Sequence, residues 1–62
     1  MDPKVGDRVL HKNGQYAQVI GVGSVVTNTG LQAMYNIKFE AGLIPGVNCL
    51  RVEFTFPAPE ND

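Results

Sequence analysis

Apolar and polar side chains alternate most regularly between residues 33 and 40. Apolar residues recur at every second position there, and polar residues fill most of the positions between them: Ala33, Tyr35, Ile37 and Phe39 against Asn36, Lys38 and Glu40. A period of two is typical of a β-strand with one face in a core and the other in water. No helical pattern fits this segment as well. We therefore predict a central strand over 33–40 and a small β-protein.

A hairpin is predicted near the start of the chain. We interpret Gly6 and Asp7 as a turn or bulge that precedes a first strand over Arg8–His11. The Asn13-Gly14 pair comes next. Both residue types tolerate positive φ, which makes Asn-Gly the strongest short-range hairpin signal. The chain is expected to reverse there and to enter a second strand.

The predicted second strand, over 16–26, is apolar on both faces and is interrupted by Gly21 and Gly23. Glycines within a β-branched run commonly mark a bulge or a sharp bend, which lets a long strand turn the corner of a barrel. A strand with two apolar faces requires other residues to shield both faces from water. In a single-layer barrel the second cover can come from another molecule.

The segments on either side of the central strand are assigned from turn formers and alternation. Residues 27–32 are rich in turn-forming types, and we predict a loop there. Final strand material is predicted over 47–50 and 52–56, split by a short 3₁₀ turn near Arg51. The last segment would place three side chains on one face: Val52, Phe54 and Phe56.

The segment 43–47 is unusual because it is almost entirely apolar and contains a Pro-Gly pair. Two interpretations stay open. Leu43 and Ile44 could fold over the open end of the barrel. Alternatively, they could form a contact surface for a partner, since exposed apolar patches tend to mark interaction sites.

These segments predict one all-β domain over 1–62, a five-stranded small barrel with a lead-in over 1–4 and a flexible tail over 57–62. Five strands are too few for a two-sheet sandwich. A chain of this length buries only about 60% of its unfolded surface, so its core is marginal. Because the single cysteine excludes an internal disulfide, we expect a protein partner or self-association to supply further stability.

The formal net charge is −1, from five basic and six acidic residues. It does not favour a nucleic-acid partner, because such binders usually carry a strongly basic patch. No segment approaches the roughly 18 apolar residues that a membrane span requires. The N-terminus lacks the apolar core of a signal peptide, and a single unpaired cysteine suits a reducing compartment. We expect a cytoplasmic protein with no membrane partner.

Few residues are candidates for catalysis. His11 is the only imidazole and no nucleophile is placed near it, whereas general-base chemistry requires a positioned partner. Cys49 lies in a predicted strand with nothing adjacent to lower its pKa, so we interpret it as a structural thiol. One His and one Cys cannot furnish a four-ligand metal site. We expect no catalytic residue, no metal and no cofactor.

Binding is better supported by the aromatic residues. Tyr16 follows the predicted turn and is the aromatic residue that we expect to be exposed. With Arg8 and Lys12 it could form a groove that stacks a base or holds a peptide. Alternatively, Tyr16 caps the edge of the core and has no binding role.

The order of these signals resembles that of SH3-like barrels. The motif VGDRV over 5–9 opens the first strand, and QVIGV over 18–22 follows the Asn-Gly turn. YNIKF over 35–39 is similar to the Y-x-V-x-F third strand of such barrels. The resemblance covers roughly residues 5–56, extends to Tudor-like and KOW-like modules, and implies a single SH3-like five-stranded barrel. Because VGDRV recurs in unrelated barrels, it supports the fold more than a function.

The chain also resembles the plasmid-borne type II dihydrofolate reductases, SH3-like barrels that assemble as tetramers around a pore. GDRV over 6–9, VIG over 19–21 and PGV over 45–47 carry this resemblance. In that family a Val-Gln-Ile-Tyr segment after the Pro-Gly lines the pore. The matching segment here is Val47, Asn48, Cys49 and Leu50, which lacks most of those polar groups. The resemblance therefore implies the assembly and not the activity.

Taken together, the sequence favours a non-enzymatic SH3-like interaction module that binds a protein partner or self-assembles. Its proposed contact residues are Tyr16, Leu43, Ile44 and Val47. A nucleic-acid-binding barrel is the first alternative, with contact residues Lys4, Arg8, Lys12 and Tyr16. A reductase-like tetramer is the second, with a pore lined by Val47, Asn48, Cys49 and Leu50.

Overall fold

The computed structural model describes residues 1–59, which form one five-stranded antiparallel sheet. A 3₁₀ helix, Arg51–Glu53, separates the last two strands. The strands lie side by side in the order β4-β3-β2-β1-β5. Their bounds are β1 Arg8–His11, β2 Tyr16–Thr27, β3 Gly30–Phe39, β4 Val47–Leu50 and β5 Phe54–Thr55. The all-β prediction is confirmed, and so is the 3₁₀ turn that was expected near Arg51.

The first hairpin closes where the Asn-Gly pair predicts. Gly14 has a φ of 89°, and its backbone N–H donates to the His11 carbonyl oxygen at 2.9 Å. The Asn13 side chain accepts a hydrogen bond from the Gln15 backbone N–H at 2.9 Å. A turn of this kind returns the chain directly, so β1 and β2 pair from Leu10 opposite Tyr16 onward.

The hairpin of β2 and β3 is longer than the sequence predicts. The two strands pair from Ala17 opposite Phe39 to Thr27 opposite Gly30, so a loop over 27–32 is wrong. Composition was misleading because the turn formers there stabilise a much tighter reversal. Thr27 Oγ1 donates to the Gly30 carbonyl oxygen at 3.0 Å, and Gly30 takes a φ of 114°. The irregularity predicted from the glycines of β2 is present as a bulge between Val19 and Gly21.

The sheet curls so that its two ends share one core. The rings of Tyr35 on β3 and Phe54 on β5 meet edge to face, with centroids 5.1 Å apart. In a flat sheet β3 and β5 would lie about 14 Å apart, since two strands separate them. Among the strand pairs of residues 1–59, however, β4 and β5 do not pair with each other, so the sheet is not closed. The core side chains are Val9, Ala17, Val19, Tyr35, Ile37, Cys49 and Phe54.

Residues near both ends of the described range contact the rest of the fold. Arg51 Nη2 donates to the Met1 carbonyl oxygen at 2.9 Å, and Pro3 is buried. The Tyr16 hydroxyl donates to the Pro59 carbonyl oxygen at 2.6 Å. The predicted flexible tail also includes 60–62, which lie outside the described residues.

Val52 does not share a face with Phe54 and Phe56, so that prediction is wrong. Val52 is 87% exposed, whereas Phe54 is buried and Phe56 packs against the core. The 3₁₀ helix that contains Val52 interrupts the period of two, because helical backbone rotates successive side chains by less than a strand does.

Candidate interaction surface

The loop between β3 and β4 places apolar side chains in water. Leu43 is 99% exposed and Ile44 is 59% exposed. Neither value fits a loop that folds inward to cover the core. The Gly42 backbone N–H donates to the Phe39 carbonyl oxygen at 3.3 Å, which closes the turn that precedes Leu43. The loop therefore presents its two largest side chains outward.

The base of this loop is packed closely against the sheet. A Cβ atom placed on Gly46 would lie 2.5 Å from Asn36 Oδ1 and 3.2 Å from Ile20 Cδ1. A larger residue at position 46 would force the Asn36 and Ile20 side chains to shift. Ile20, which is 42% exposed, consequently lies beside the loop base. We define the apolar loop surface as Ile20, Leu43 and Ile44.

Ile20 was not among the residues predicted from the sequence. It stands at the bulge of β2, where the register shifts between Val19 and Gly21. Ile20 keeps the outer face that alternation gives it after the buried Val19. The bulge changes the face of the residues that follow, so Val22 pairs with Tyr35 on the core face.

Asn36 contributes a buried acceptor beneath the loop. Its Oδ1 atom is enclosed and has no hydrogen-bond partner among the described residues. Asn36 lies opposite Asn48 of β4 on the outer face of the sheet. The base of the loop therefore packs partly against a polar side chain, that of Asn36.

β4 alternates between the two faces of the sheet. Val47 and Cys49 pair with Ile37 and Tyr35 on the core face, and Cys49 is 2% exposed. Val47 is half-buried, so it contributes less exposed surface than Leu43 and Ile44 do. Of the segment predicted to line a pore, Asn48 and Leu50 are left for the outer face.

The environment of Cys49 is that of a structural thiol. Burial raises the pKa of its thiol, and the nearby carboxylate of Glu53 raises the pKa further. A thiol held in its protonated form is a poor nucleophile.

Tyr16 lies at the same end of the sheet as the start of the apolar loop. Its carbonyl oxygen accepts a hydrogen bond from the Glu40 backbone N–H at 3.0 Å. Its ring is half-buried beneath the Arg8 guanidinium, which lies 3.9 Å from the ring centroid. The Tyr16 hydroxyl is bonded to Pro59 and one face of its ring is covered by Arg8, so part of the ring is already occupied within the chain.

Two of the three basic residues predicted for nucleic-acid binding, Arg8 and Lys12, lie beside carboxylates. Arg8 Nε donates to Glu40 Oε2 at 2.7 Å and Arg8 Nη2 donates to Glu40 Oε1 at 2.9 Å. Lys12 Nζ lies 3.7 Å from Glu53 Oε1. Lys4 is exposed. These carboxylates come from distant parts of the chain and reduce the local positive potential. The spacing of the basic residues in the sequence could not indicate that carboxylates would lie beside them.

An open groove of about 430 Å³ lies beside the Arg8–Glu40 pair. It is lined by Gly6, Arg8, Gln18, Lys38, Phe39 and Glu40. Gln18 Nε2 already donates to the Gly6 carbonyl oxygen at 3.3 Å. Phe39 is the one large apolar side chain in this lining, whereas small-molecule sites are usually lined mainly by hydrophobic and aromatic side chains.

His11 has structural contacts. Its ring packs edge to face against Phe39 at 5.3 Å, and its Nδ1 accepts a hydrogen bond from the Asn13 backbone N–H at 3.1 Å. Within residues 1–59, no group of three or more His, Cys, Asp or Glu side chains is arranged to hold a metal ion. None of the helical segments in that part of the chain has the length and apolar character required to cross a bilayer.

Comparison of the chain with protein-family models, with curated proteins and with solved structures found no match. The geometry of the chain itself is therefore the basis for a proposed function.

Proposed function

We propose that this chain is a non-enzymatic SH3-like interaction module that binds a protein partner through the apolar loop surface. The observation that carries the proposal is the exposure of Leu43, at 99%, beside the exposed Ile44. Fully burying one such side chain contributes roughly 1.5–3 kcal/mol. A small protein gains that free energy only when another molecule covers the loop.

The SH3-like interpretation is supported by the five antiparallel strands and by the curl that brings Phe54 onto Tyr35. One sheet that wraps around a single core is the arrangement from which small barrels are built. In such a module the loops between strands are available for contacts, and the rigid sheet positions them.

The apolar loop is held in place at both ends, which favours binding. Its first turn is closed by the bond from Gly42 to Phe39, and its last residue, Val47, pairs with Ile37. Gly46 packs against Ile20 in between. A loop that is already ordered loses less conformational entropy when a partner binds.

The test compares a double variant of the loop with a matched surface variant. Leu43→Ser with Ile44→Ser removes the exposed apolar groups of the loop. Val52→Ser removes an apolar group from the 3₁₀ helix whose exposure, 87%, lies between those of Leu43 and Ile44. Partners captured on the immobilised wild-type protein would be purified and their affinities measured by calorimetry. We expect the double variant to bind at least about tenfold more weakly, because each tenfold corresponds to about 1.4 kcal/mol.

Two controls make this test decisive. The Val52→Ser variant is expected to bind as the wild type does, and circular dichroism should report the same fold for all three proteins. Equal affinities for the wild type and the double variant would refute the proposed contact surface.

No specific feature of the structure favours either alternative function. Arg8 and Lys12 lie against Glu40 and Glu53, which weakens the case for phosphate binding. Nucleic-acid affinity that falls steeply with salt would nevertheless restore that alternative. In the segment proposed to line a pore, Cys49 is buried in the core of its own chain.

A further inference from the structure

The hairpin of β2 and β3 extends beyond the rest of the sheet. β1 pairs with β2 only as far as Gln18, and β4 pairs with β3 only as far as Met34. Residues 24–33, the distal hairpin, therefore form a two-stranded ladder with no third strand on either edge among residues 1–59. An isolated two-stranded hairpin is marginally stable in water. Some further contact is expected to support it.

One face of this hairpin continues the face that forms the core. Directly paired residues of an antiparallel ladder have side chains on the same face, so Val22 shares the face of its partner Tyr35. Tyr35 is 2% exposed, and Ala33 packs against the core. Val22 itself is 51% exposed, and nearer the turn of the hairpin the exposed fraction on this face is 73% at Leu31 and 79% at Val26. We call Val22, Ser24, Val26 and Leu31 the inner face of the hairpin.

The opposite face of the distal hairpin is polar where it carries long side chains. Gln32 Nε2 donates to Thr29 Oγ1 at 2.6 Å and to Thr27 Oγ1 at 3.1 Å. These bonds satisfy the polar groups next to the turn. Val25, which pairs with Gln32 on that face, is half-buried. The exposed large apolar side chains of the hairpin therefore lie on the inner face.

The chemistry of the occupant is limited by charge. No Asp, Glu, Lys, Arg or His occurs anywhere from residue 13 to residue 37. Natural sheets usually place charged residues on exposed edge strands to prevent association, and the distal hairpin has none. A partner selected by charge would find nothing to pair with here. The occupant must offer a neutral, apolar surface of similar shape.

We propose that the inner face of the hairpin is covered by the same face of a second copy of this chain. A twofold axis makes one surface meet its own equivalent, and a neutral apolar face is complementary to itself. The net charge of −1 adds little repulsion between copies. This contact involves residues other than the apolar loop surface and does not rest on the proposed function.

The size of the surface determines how tight the dimer is. A standard interface takes about 800 Å² from each partner, which is roughly a fifth of the 4313 Å² surface of this chain. Three exposed apolar side chains on a short hairpin supply less than that. The dimer therefore belongs to the weak class, and its population depends on protein concentration.

Sedimentation equilibrium on the purified chain tests the proposal. Over a range from about 10 μM to about 1 mM, the wild type should shift from monomer towards dimer. Val26→Lys and Leu31→Lys each bring like charges together across the twofold axis, and we expect association to weaken about tenfold or more. Val52→Lys is the matched control, since Val52 is at least as exposed and lies in the 3₁₀ helix.

A second measurement does not depend on how the variants fold. In a mixture of isotope-labelled and unlabelled wild-type protein, filtered NMR experiments should detect contacts between copies at the methyl groups of Val26 and Leu31. The proposal is overturned if the wild type stays monomeric throughout, if both lysine variants dimerise as the wild type does, or if the contacts lie elsewhere. The double serine variant of the loop should still dimerise, which separates this result from the proposed function.

Discussion

At the scale of single residues, the Arg8–Glu40 pair joins the first strand to the end of the third. Its two hydrogen bonds have the parallel geometry in which a guanidinium binds a carboxylate most strongly. The Arg8 guanidinium also lies over the Tyr16 ring. The hydrogen bond from Arg8 stabilises the charged carboxylate and lowers the pKa of Glu40 below its ordinary value.

This lowered pKa predicts how stability changes in acid. A carboxylate whose pKa is lower in the folded state stabilises the fold above its unfolded pKa, near 4.5. That stabilisation is lost as the pH falls through the folded pKa. Urea unfolding between about pH 7 and about pH 3 should show a steeper loss of unfolding free energy for the wild type than for Glu40→Gln. Arg8→Gln should behave like Glu40→Gln; identical slopes in all three proteins would contradict the prediction.

At the scale of elements, Arg51 of the 3₁₀ helix holds the N-terminal lead-in and the last strand together. Its guanidinium contacts Asp2 Oδ1 at 3.1 Å and the Met1 carbonyl oxygen at 2.9 Å. It also donates to the carbonyl oxygens of Phe54, at 3.0 Å, and Phe56, at 3.4 Å. One side chain thus satisfies backbone groups from two segments that are distant in sequence.

Replacing this side chain tests its role in joining the elements. Arg51→Lys keeps the charge but removes the planar fork of donors, so several bonds are lost together. We expect the unfolding free energy to fall by about 1–2 kcal/mol, measured by urea denaturation. Amide exchange should also accelerate in residues 54–56.

The matched control is Lys12→Gln, which breaks the exposed pair with Glu53 at 3.7 Å. A surface pair of that kind contributes about 0–1 kcal/mol, so little change is expected. An Arg51→Lys protein as stable as the Lys12→Gln protein would show that Arg51 does not join the two segments.

At the scale of the whole molecule, the curl of the sheet brings Tyr35 into contact with Phe54. These rings come from strands that are not neighbours in the sheet, and they meet in the core. A chain of this length rarely gains more than about 3–5 kcal/mol from its core. A single large core residue is therefore a substantial part of the total stability.

Phe54→Ala is expected to unfold most of the protein. Removing a buried Phe side chain costs about 3–5 kcal/mol, which matches the whole stability expected for this chain. Phe54→Leu keeps most of the volume and should retain the fold with a loss below about 1.5 kcal/mol. NMR chemical-shift dispersion would distinguish the two states. A well-dispersed spectrum for Phe54→Ala would contradict this prediction.

The local features of this fold could be predicted from the sequence because neighbouring residues determine them. Alternation placed Tyr35 and Ile37 in the core, and both are buried. The Asn13-Gly14 pair specified a turn through its backbone preferences, and the glycines of β2 indicated the bulge. The apolar character of Leu43 and Ile44 was also evident in the sequence, which is why that loop was proposed as a contact surface.

The tertiary structure alone decided which of these features meet. The pairing of Arg8 with Glu40 joins residues 32 positions apart, and no local pattern encodes that distance. The tight turn before Gly30 depends on side-chain hydrogen bonds that composition could not distinguish from a loop. Leu43 is exposed, and Val26 is exposed although it lies on the same face of the sheet as the core residues. Both outcomes depend on where the curled sheet ends. Alternation reports which side chains share a face, whereas only the packed chain decides whether that face is covered.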